Sequence, residues 1–264
     1  MSYGYTKDWH ENRERPIDRY RNHNDHEFWI GGDICSRHFN IYITDFRVFS
    51  APERDISFQS VAGRNGDIAF DNRRMKNIDI VYSCAIPTNF DENFSSFKKR
   101  LYRLSGYQKI VDTATPGMFR MGIAHKGIDA SVIRRGMGGT FDVCITCKPQ
   151  KFLEHGTFAS TFTAPAVIRN DDYGIARPII TVYGTGPGNL TIGGVTVRIL
   201  ALTDQITLDC DLMTAYRQVG NAGAENKNGD IYAPDFPVLG YGENAINWDG
   251  GITHIELIPR WWSV

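Results

Sequence analysis

The chain has 264 residues, a mass of 29.8 kDa and 42% hydrophobic residues, which is a globular composition sufficient for one large domain or two ordinary ones. Its net charge of -1 and pI of about 6.7 do not indicate a concentrated basic field, so we expect no sequence-specific binding to nucleic acid and no binding to a membrane surface. Five irregularly spaced cysteines predict free thiols. We also expect neither a secretory signal nor a membrane span.

The N-terminal segment, residues 1–27, differs from the rest of the chain. Charged side chains of both signs are frequent in it, and aliphatic residues are almost absent, with Ile17 the exception. Such a segment buries too little apolar surface to offset the entropy lost on ordering. We interpret it as a polar arm that is either a mobile terminus or a segment that orders against a neighbouring subunit. We expect it to be mobile in the free protein and ordered in a complex.

Alternation of apolar and polar residues predicts strands after this arm. The predicted strands of the first half are 39–44, 56–61, 68–70, 78–82, 118–124, 128–134 and 140–148. Between two of them stands Asn65-Gly66, which predicts a hairpin because both residues tolerate positive φ.

A single helix is predicted from Asn93 to Ser105. Its apolar residues recur at spacings of three and four, at Phe94, Phe97, Leu101 and Leu104. Acidic residues precede it, basic residues fill its second half and Gly106 can end it. We expect one face of this helix to pack on a sheet.

The proline at position 149 marks the predicted domain division, because it lacks a ladder donor and restricts Lys148. We therefore predict an N-terminal domain over 28–149 and a C-terminal domain over 150–264. Predicted strands of the second half are 158–163, 179–185, 189–193, 195–202, 205–210, 244–248 and 252–258. A short helical turn is predicted at 211–217. Short strands separated by glycine-rich turns predict an antiparallel sandwich, so the fold class is mainly β with one α-helix.

None of the motifs that could carry catalysis is convincing. Cys144 and Cys147 have Cys-x-x-Cys spacing, but on a strand they point to opposite faces, which favours small core residues over a redox or zinc pair. The glycine-rich stretches 136–139 and 184–188 lack the following residues of a phosphate loop. Asp209 and Asp211 are interpreted as solvated acids at a strand end. We predict no catalytic, cofactor or metal site, and hence no enzyme.

Two separated sets of motifs carry a resemblance to a known family. In the first half they are Ala51-Pro52-Glu53-Arg54-Asp55, Val61-Ala62-Gly63-Arg64-Asn65-Gly66-Asp67 and Asp71-Asn72-Arg73-Arg74-Met75-Lys76-Asn77-Ile78. In the second half they are Arg177 to Gly184, Leu190 to Gly194, Phe236 to Leu239, Asn244 to Trp248 and Ile255 to Trp261. Together they resemble the distal tail protein (Dit) family of long-tailed siphophages. The signature turn of that family matches Pro52, Arg54, Gly63, Arg64, Gly66 and Asp67. Ala62 replaces the usual proline, and Met75 stands where tyrosine is common.

The resemblance implies a fold and a role. The fold is an N-terminal β-sandwich with one helix and a protruding hairpin, followed by a galectin-like antiparallel β-sandwich. The role is a structural hub of the phage tail tip: a hexameric ring that joins the tail tube protein to the tail-tip or tail-associated lysin protein and to receptor-binding proteins, with DNA passing through the lumen. Such a protein is made in the bacterial cytoplasm and ends in the virion.

Ring interfaces favour arginine and aromatic side chains, which selects candidates for subunit or partner contact. These are Arg64, Arg73, Arg74, Arg134, Arg135, Trp261 and Trp262. The alternative function is a carbohydrate-binding, lectin-like module for host adhesion, with Trp248, Asp249 and His254 as a possible sugar platform. The sugar-binding motif of galectins is absent. A hydrolase using Asp209 or Asp211 is the least supported hypothesis.

Overall fold

The computed structural model describes residues 26–132, 138–171, 174–220 and 223–264. These residues divide into two compact units between Lys151 and Phe152. The mainly β fold class is confirmed, with one α-helix in the described part of the chain. The elements of the first unit, in chain order, are β1 Phe28–Ile30, β2 Ile34–Cys35, a 3-10 turn Ser36–Phe39, β3 Tyr42–Arg47, β4 Arg54–Gln59, β5 Ile68–Met75, β6 Ile78–Ile86, α1 Phe90–Leu101, β7 Gln108–Asp112, β8 Met118–Ile123, β9 Ala130–Val132 and β10 Gly139–Leu153, whose last two residues belong to the second unit.

The elements of the second unit follow the same mainly β pattern. They are a 3-10 turn Glu154–Thr157, β11 Ser160–Phe162, β12 Ala166–Asn170, β13 Ile179–Gly184, β14 Gly188–Ile192, β15 Val195–Ile199, β16 Gln205–Asp209, β17 Thr214–Gln218, β18 Ala224–Asn226, a 3-10 turn Asn228–Asp230, β19 Ile231–Tyr232, β20 Gly242–Trp248, β21 Ile252–Ile258 and β22 Trp262–Ser263.

A large antiparallel sheet forms the first unit, in the order β2-β1-β7-β8-β10-β6-β3, with β9 added to β10. Strict alternation in β6 places Ile80 and Tyr82 in the core. Helix α1 covers this core with its apolar face. Its ring contacts join the helix to two strands, because Phe97 lies 6.3 Å from Phe28 and Phe94 lies 4.8 Å from Phe141 between centroids.

Two antiparallel sheets form the second unit, in the orders β11-β21-β13-β16-β17-β18 and β12-β20-β14-β15-β19. Their inward residues share one core, in which Ile180 and Leu208 of the first sheet pack with Leu190 and Ile246 of the second. This is the arrangement of a β-sandwich, with one apolar face from each sheet removed from water.

Two details of the sequence interpretation are wrong. Strand β10 does not stop at Pro149 but continues to Leu153. Its pairing with β6 ends at Cys147, so the missing N–H of Pro149 removes no bond to that strand. The predicted helical turn at 211–217 is also wrong, because Thr214 already begins β17. The Asp209 side chain accepts the backbone N–H groups that follow it and closes a tight turn instead.

Candidate assembly surface

The hairpin of β4 and β5 is a two-stranded ribbon that joins no other sheet in the described part of the chain. Ser57 pairs with Phe70, Phe58 with Ala69 and Gln59 with Ile68. An isolated two-stranded hairpin is marginally stable in water, because its ladder bonds and side-chain pairs gain little from burial. Its outer edges pair with no other strand among the described residues, and such edges are open to pairing with another chain. We call this ribbon and its connecting loop, residues 54–75, the β4–β5 hairpin.

Large apolar side chains lie exposed on both faces of the β4–β5 hairpin. Because Phe70 pairs with Ser57 and Phe58 is the next residue of β4, the two phenylalanines point to opposite faces. Phe58 is 68% exposed and Phe70 is 50% exposed, and Val61 in the connecting loop is 42% exposed. The described residues therefore leave apolar area uncovered on both faces of this thin ribbon.

The base of the hairpin is shaped by an irregular pairing and by charge. The register shifts between Arg54 and Ile56, and Arg73 has a positive φ of 55° in the bulge that results. The Asp71 carboxylate accepts the Arg73 backbone N–H at 2.7 Å, which stabilises this conformation. Across the ribbon the Arg74 guanidinium donates to Asp55 at 2.6 Å and thereby lowers the pKa of that carboxyl group.

The signature residues all belong to this hairpin or to its entry. Pro52 precedes β4 and Arg54 opens it, whereas the other four lie in the connecting loop 60–67. The loop is wider than a two-residue turn. Its hydrogen-bonded turn runs from Val61 to Arg64, whose N–H donates to the Val61 carbonyl at 3.2 Å. The backbone φ is positive at Gly63 (77°) and at Gly66 (81°), so these positions favour glycine. Asn65 does not have a positive φ.

The predicted interface residues fall into three groups. Arg64, Arg73 and Arg74 are exposed on the β4–β5 hairpin. Trp261 is 8% exposed and packs in the core of the second unit, and Trp262 donates its indole N–H to the Ile175 carbonyl at 3.0 Å. Arg134 and Arg135 lie outside the described residues, as do positions 1–25 of the predicted arm.

The residues proposed for a sugar platform are engaged elsewhere. Trp248 is half-buried and packs against the core of the second unit. Asp249 accepts the backbone and side-chain N–H groups of Asn189 at 2.9 and 3.0 Å. His254 belongs to the other sheet, where it stacks on Tyr183 with ring centroids 4.5 Å apart. No open aromatic face combines these three side chains.

The remaining chemical candidates have structural roles. Cys147 is fully buried and Cys144 half-buried on opposite faces of β10, and burial raises the pKa of Cys147 to about 12. The interpretation of Asp209 as a solvated acid is wrong: it is 5% exposed and paired with Arg260 at 2.9 and 3.0 Å. Among the described residues, no cluster of His, Cys, Asp or Glu has metal-site geometry, and no helix is long and apolar enough to cross a membrane.

The sequence analysis did not identify Phe58 and Phe70 as exposed apolar residues of the candidate assembly surface. The apolar residues at 56, 58, 68 and 70 were a signal, since two short apolar runs flanking a turn also occur in hairpins that no sheet covers. Alternation shows which residues share a face. It does not show whether another layer of the same chain covers that face.

The chain is similar to the Dit protein of phage SPP1, described as a paradigm of the hub adsorption apparatus in phages that infect Gram-positive bacteria. The TM-score is 0.66 at 10% identity, over 88% of this chain and 98% of that one. It is also similar to a chain of the phage P2 baseplate in its activated conformation with Ca, with a TM-score of 0.51 at 8% identity, over 88% and 96% of the two chains. The sequence matches no protein-family profile and no curated protein. The chain therefore has a Dit-like fold, as the signature residues predicted.

Proposed function

We propose that this protein is the structural hub of a phage tail tip. Six copies form a ring that joins the tail tube protein to the tail-tip or tail-associated lysin protein and to receptor-binding proteins, and DNA passes through its lumen. The observation that carries this proposal is the extent of the structural likeness, which covers 88% of this chain and 98% of the SPP1 hub protein. A likeness limited to one sandwich would support only a common domain, because sandwich folds serve many functions.

The β4–β5 hairpin supplies a second line of support. A closed ring uses a heterologous interface, in which one patch of a subunit meets a different patch of the next. A ribbon with Phe58 on one face and Phe70 on the other can be covered on both sides by neighbouring copies. Exposed arginines at its base and tip, Arg64, Arg73 and Arg74, are the residue type enriched at such contacts.

The proposal assigns a part of the role to each region of the chain. Residues 28–149 form the ring, residues 150–264 form the sandwich that faces the partner proteins, and residues 1–27 order on assembly. The alternative, a carbohydrate-binding module for adhesion, has less support because Trp248, Asp249 and His254 form no common platform. A hub acts through contacts and not through turnover, so we expect no enzymatic activity.

The test is the mass of the purified protein by light scattering, with negative-stain images of the same sample. We expect a species of six chain masses with six-fold symmetry. The double variant Phe58→Ser/Phe70→Ser should shift the mass to that of the monomer and leave the thermal unfolding transition in place. The matched control is Phe158→Ser, which removes a side chain that is 60% exposed on the other unit. A wild-type protein that stays monomeric at every concentration, or a double variant that still forms rings, would contradict the assignment.

A further inference from the structure

Two Asn-Gly steps occur in almost the same local sequence but in different structural settings. One is Arg64-Asn65-Gly66-Asp67 and the other is Lys227-Asn228-Gly229-Asp230. In each, a basic residue precedes the asparagine and an aspartate follows the glycine. Glycine has no side chain to shield its own backbone nitrogen, so that nitrogen can reach the side-chain carbonyl of the asparagine before it. The two steps therefore have similar intrinsic chemistry, and any difference between them comes from the fold.

Asn65 is free to move. It lies in the exposed loop 60–67 of the β4–β5 hairpin, and its side chain makes no hydrogen bond to any described residue. A methyl group built on Gly66 would meet nothing within 4 Å, and the same holds at Gly229, so the two steps differ in the hydrogen bonds of the asparagine and not in the space around the glycine.

Asn228 is held in place. It lies in the 3-10 turn Asn228–Asp230, and its side-chain oxygen accepts the Ala215 backbone N–H at 2.6 Å and the Thr214 hydroxyl at 3.3 Å. On either side of the step, Lys227 and Asp230 form an ion pair of 3.2 Å. The Asn228 side chain must break its two hydrogen bonds before its carbonyl carbon can turn toward the Gly229 nitrogen, and the ion pair limits the movement of the backbone around it.

We propose that Asn65 is a site of spontaneous deamidation in the unassembled protein and that Asn228 is protected by the fold. The Gly66 backbone nitrogen gives up its proton to solvent base and attacks the side-chain carbonyl carbon of Asn65. A new C–N bond closes a five-membered succinimide, the bond to the amide nitrogen breaks, and ammonia leaves with a proton from solvent. Water then opens the ring at one of its two carbonyls. The product is aspartate or isoaspartate, and no oxidant or reductant takes part.

The modification changes the tip of the hairpin in two ways. It adds a negative charge between Arg64 and Asp67 on an exposed loop. The isoaspartate product also adds a methylene to the main chain inside the loop that joins β4 to β5. If the hairpin lies between subunits, as in the proposed function, free protein becomes less competent for assembly as it ages, whereas assembled protein is protected. This consequence rests on the proposed function, but the reaction at Asn65 does not.

The experiment incubates the full chain at mildly alkaline pH and follows both peptides by mass spectrometry. One sample is native and a second is unfolded in denaturant. We expect Asn65 to react roughly ten-fold faster than Asn228 in the native protein, equivalent to about 1.4 kcal/mol of local opening at Asn228. In the unfolded sample the two rates should agree within about two-fold, since unfolding removes local protection.

Three variants test the inference, together with the comparison of the native reaction rates at Asn65 and Asn228. Asn65→Gln should remove the acidic species that accumulates in the native protein, and Asn65→Asp should migrate with it on charge-based separation. Thr214→Val, which removes one of the two hydrogen bonds to Asn228, should raise the native rate at Asn228. If Asn65 reacts no faster than Asn228 in the native protein, the proposal is wrong. This result does not depend on whether the protein forms rings.

Discussion

Asp209 and Arg260 are separated by 51 positions and joined by a bidentate ion pair, in which the two terminal guanidinium nitrogens donate to the two carboxylate oxygens at 2.9 and 3.0 Å. Asp209 ends β16 and Arg260 follows β21, so the pair holds the C-terminal segment against the turn before β17. The same carboxylate accepts the backbone N–H groups of Asp211 and Leu212 at 3.0 and 3.2 Å. One buried acid therefore fixes a turn and a chain end together.

Replacing Asp209 by asparagine should destabilise the second unit. The substitution keeps the shape of the side chain but removes the buried carboxylate charge that pairs with Arg260, and we expect a loss of about 2 kcal/mol in the free energy of unfolding. Urea denaturation measures this loss. The matched control is Asp171→Asn, because Asp171 pairs with Arg169 at 2.6 Å where both side chains are more than half exposed. That variant should change stability by less than about 0.5 kcal/mol, and equal effects would show that Asp209 has no special role.

Tyr82 and Asp112 form the corresponding buried polar contact of the first unit. The Tyr82 hydroxyl donates to Asp112 at 2.9 Å, and burial next to this carboxylate raises the pKa of Tyr82 well above its usual value. Tyr82→Phe keeps the ring stacked on Phe28 and removes only the donor. We expect a loss of about 1–2 kcal/mol in the free energy of unfolding. The control Tyr102→Phe removes an exposed hydroxyl that donates to the Lys126 carbonyl, and its effect should be smaller. The reverse order would contradict the role given to Asp112.

Local patterns predicted much of the fold. Alternation located β6, β8, β13 and β21, and the spacing of Phe94, Phe97 and Leu101 located the helix. The helix begins at Phe90 rather than Asn93, because Asn89 takes a left-handed conformation just before it. Short strands such as β1 and β22 carry too few residues to show a period. Their positions depend on tertiary pairing.

Long-range contacts limited what the sequence predicted about the candidate surface. The sequence predicts a solvated Asp209 because this residue stands at a strand end close to Asp211, whereas its partner Arg260 lies in another part of the chain. Trp261 was a candidate for contact with a partner, but the structure places it in the core. The signature residues did locate the β4–β5 hairpin correctly, since turn chemistry is local. Phe58 and Phe70 are exposed because the β4–β5 hairpin joins none of the larger sheets in the described chain. No local sequence pattern shows whether a hairpin joins a larger sheet.

Gly251 should tolerate no side chain. It lies where two glycine-rich loops pack backbone to backbone, and a methyl group on it would meet the Thr185 carbonyl oxygen at 2.0 Å. Gly251→Ala must push these loops apart, and we expect a loss of about 1–3 kcal/mol in the free energy of unfolding. Gly229→Ala is the matched control in the same unit, because its added methyl group would meet nothing within 4 Å. If urea denaturation gives the same midpoint for both variants, the close approach of the loops is not a constraint.

The thiols should differ in reactivity according to burial. Burial raises the pKa of Cys84, Cys147 and Cys210 to about 12, whereas Cys144 is half-buried. At pH 8 a pKa near 12 leaves only about one thiolate in ten thousand, and the thiolate is the reactive form. We expect an alkylating reagent to modify Cys144 first in the native protein, as read by peptide mass spectrometry.

The same pKa shifts set the direction of the stability change at high pH. In the unfolded chain these thiols ionise near pH ~8.5, but in the folded protein they stay neutral until about 12. Ionisation therefore favours the unfolded chain, and the free energy of unfolding should fall as the pH rises above ~8.5. The triple variant Cys84→Ala/Cys147→Ala/Cys210→Ala should be less stable than the wild type at pH ~7. Between pH ~8 and ~10, however, its free energy of unfolding should fall by less than that of the wild type. A wild-type slope equal to that of the variant would show that these thiols are not desolvated in the folded protein.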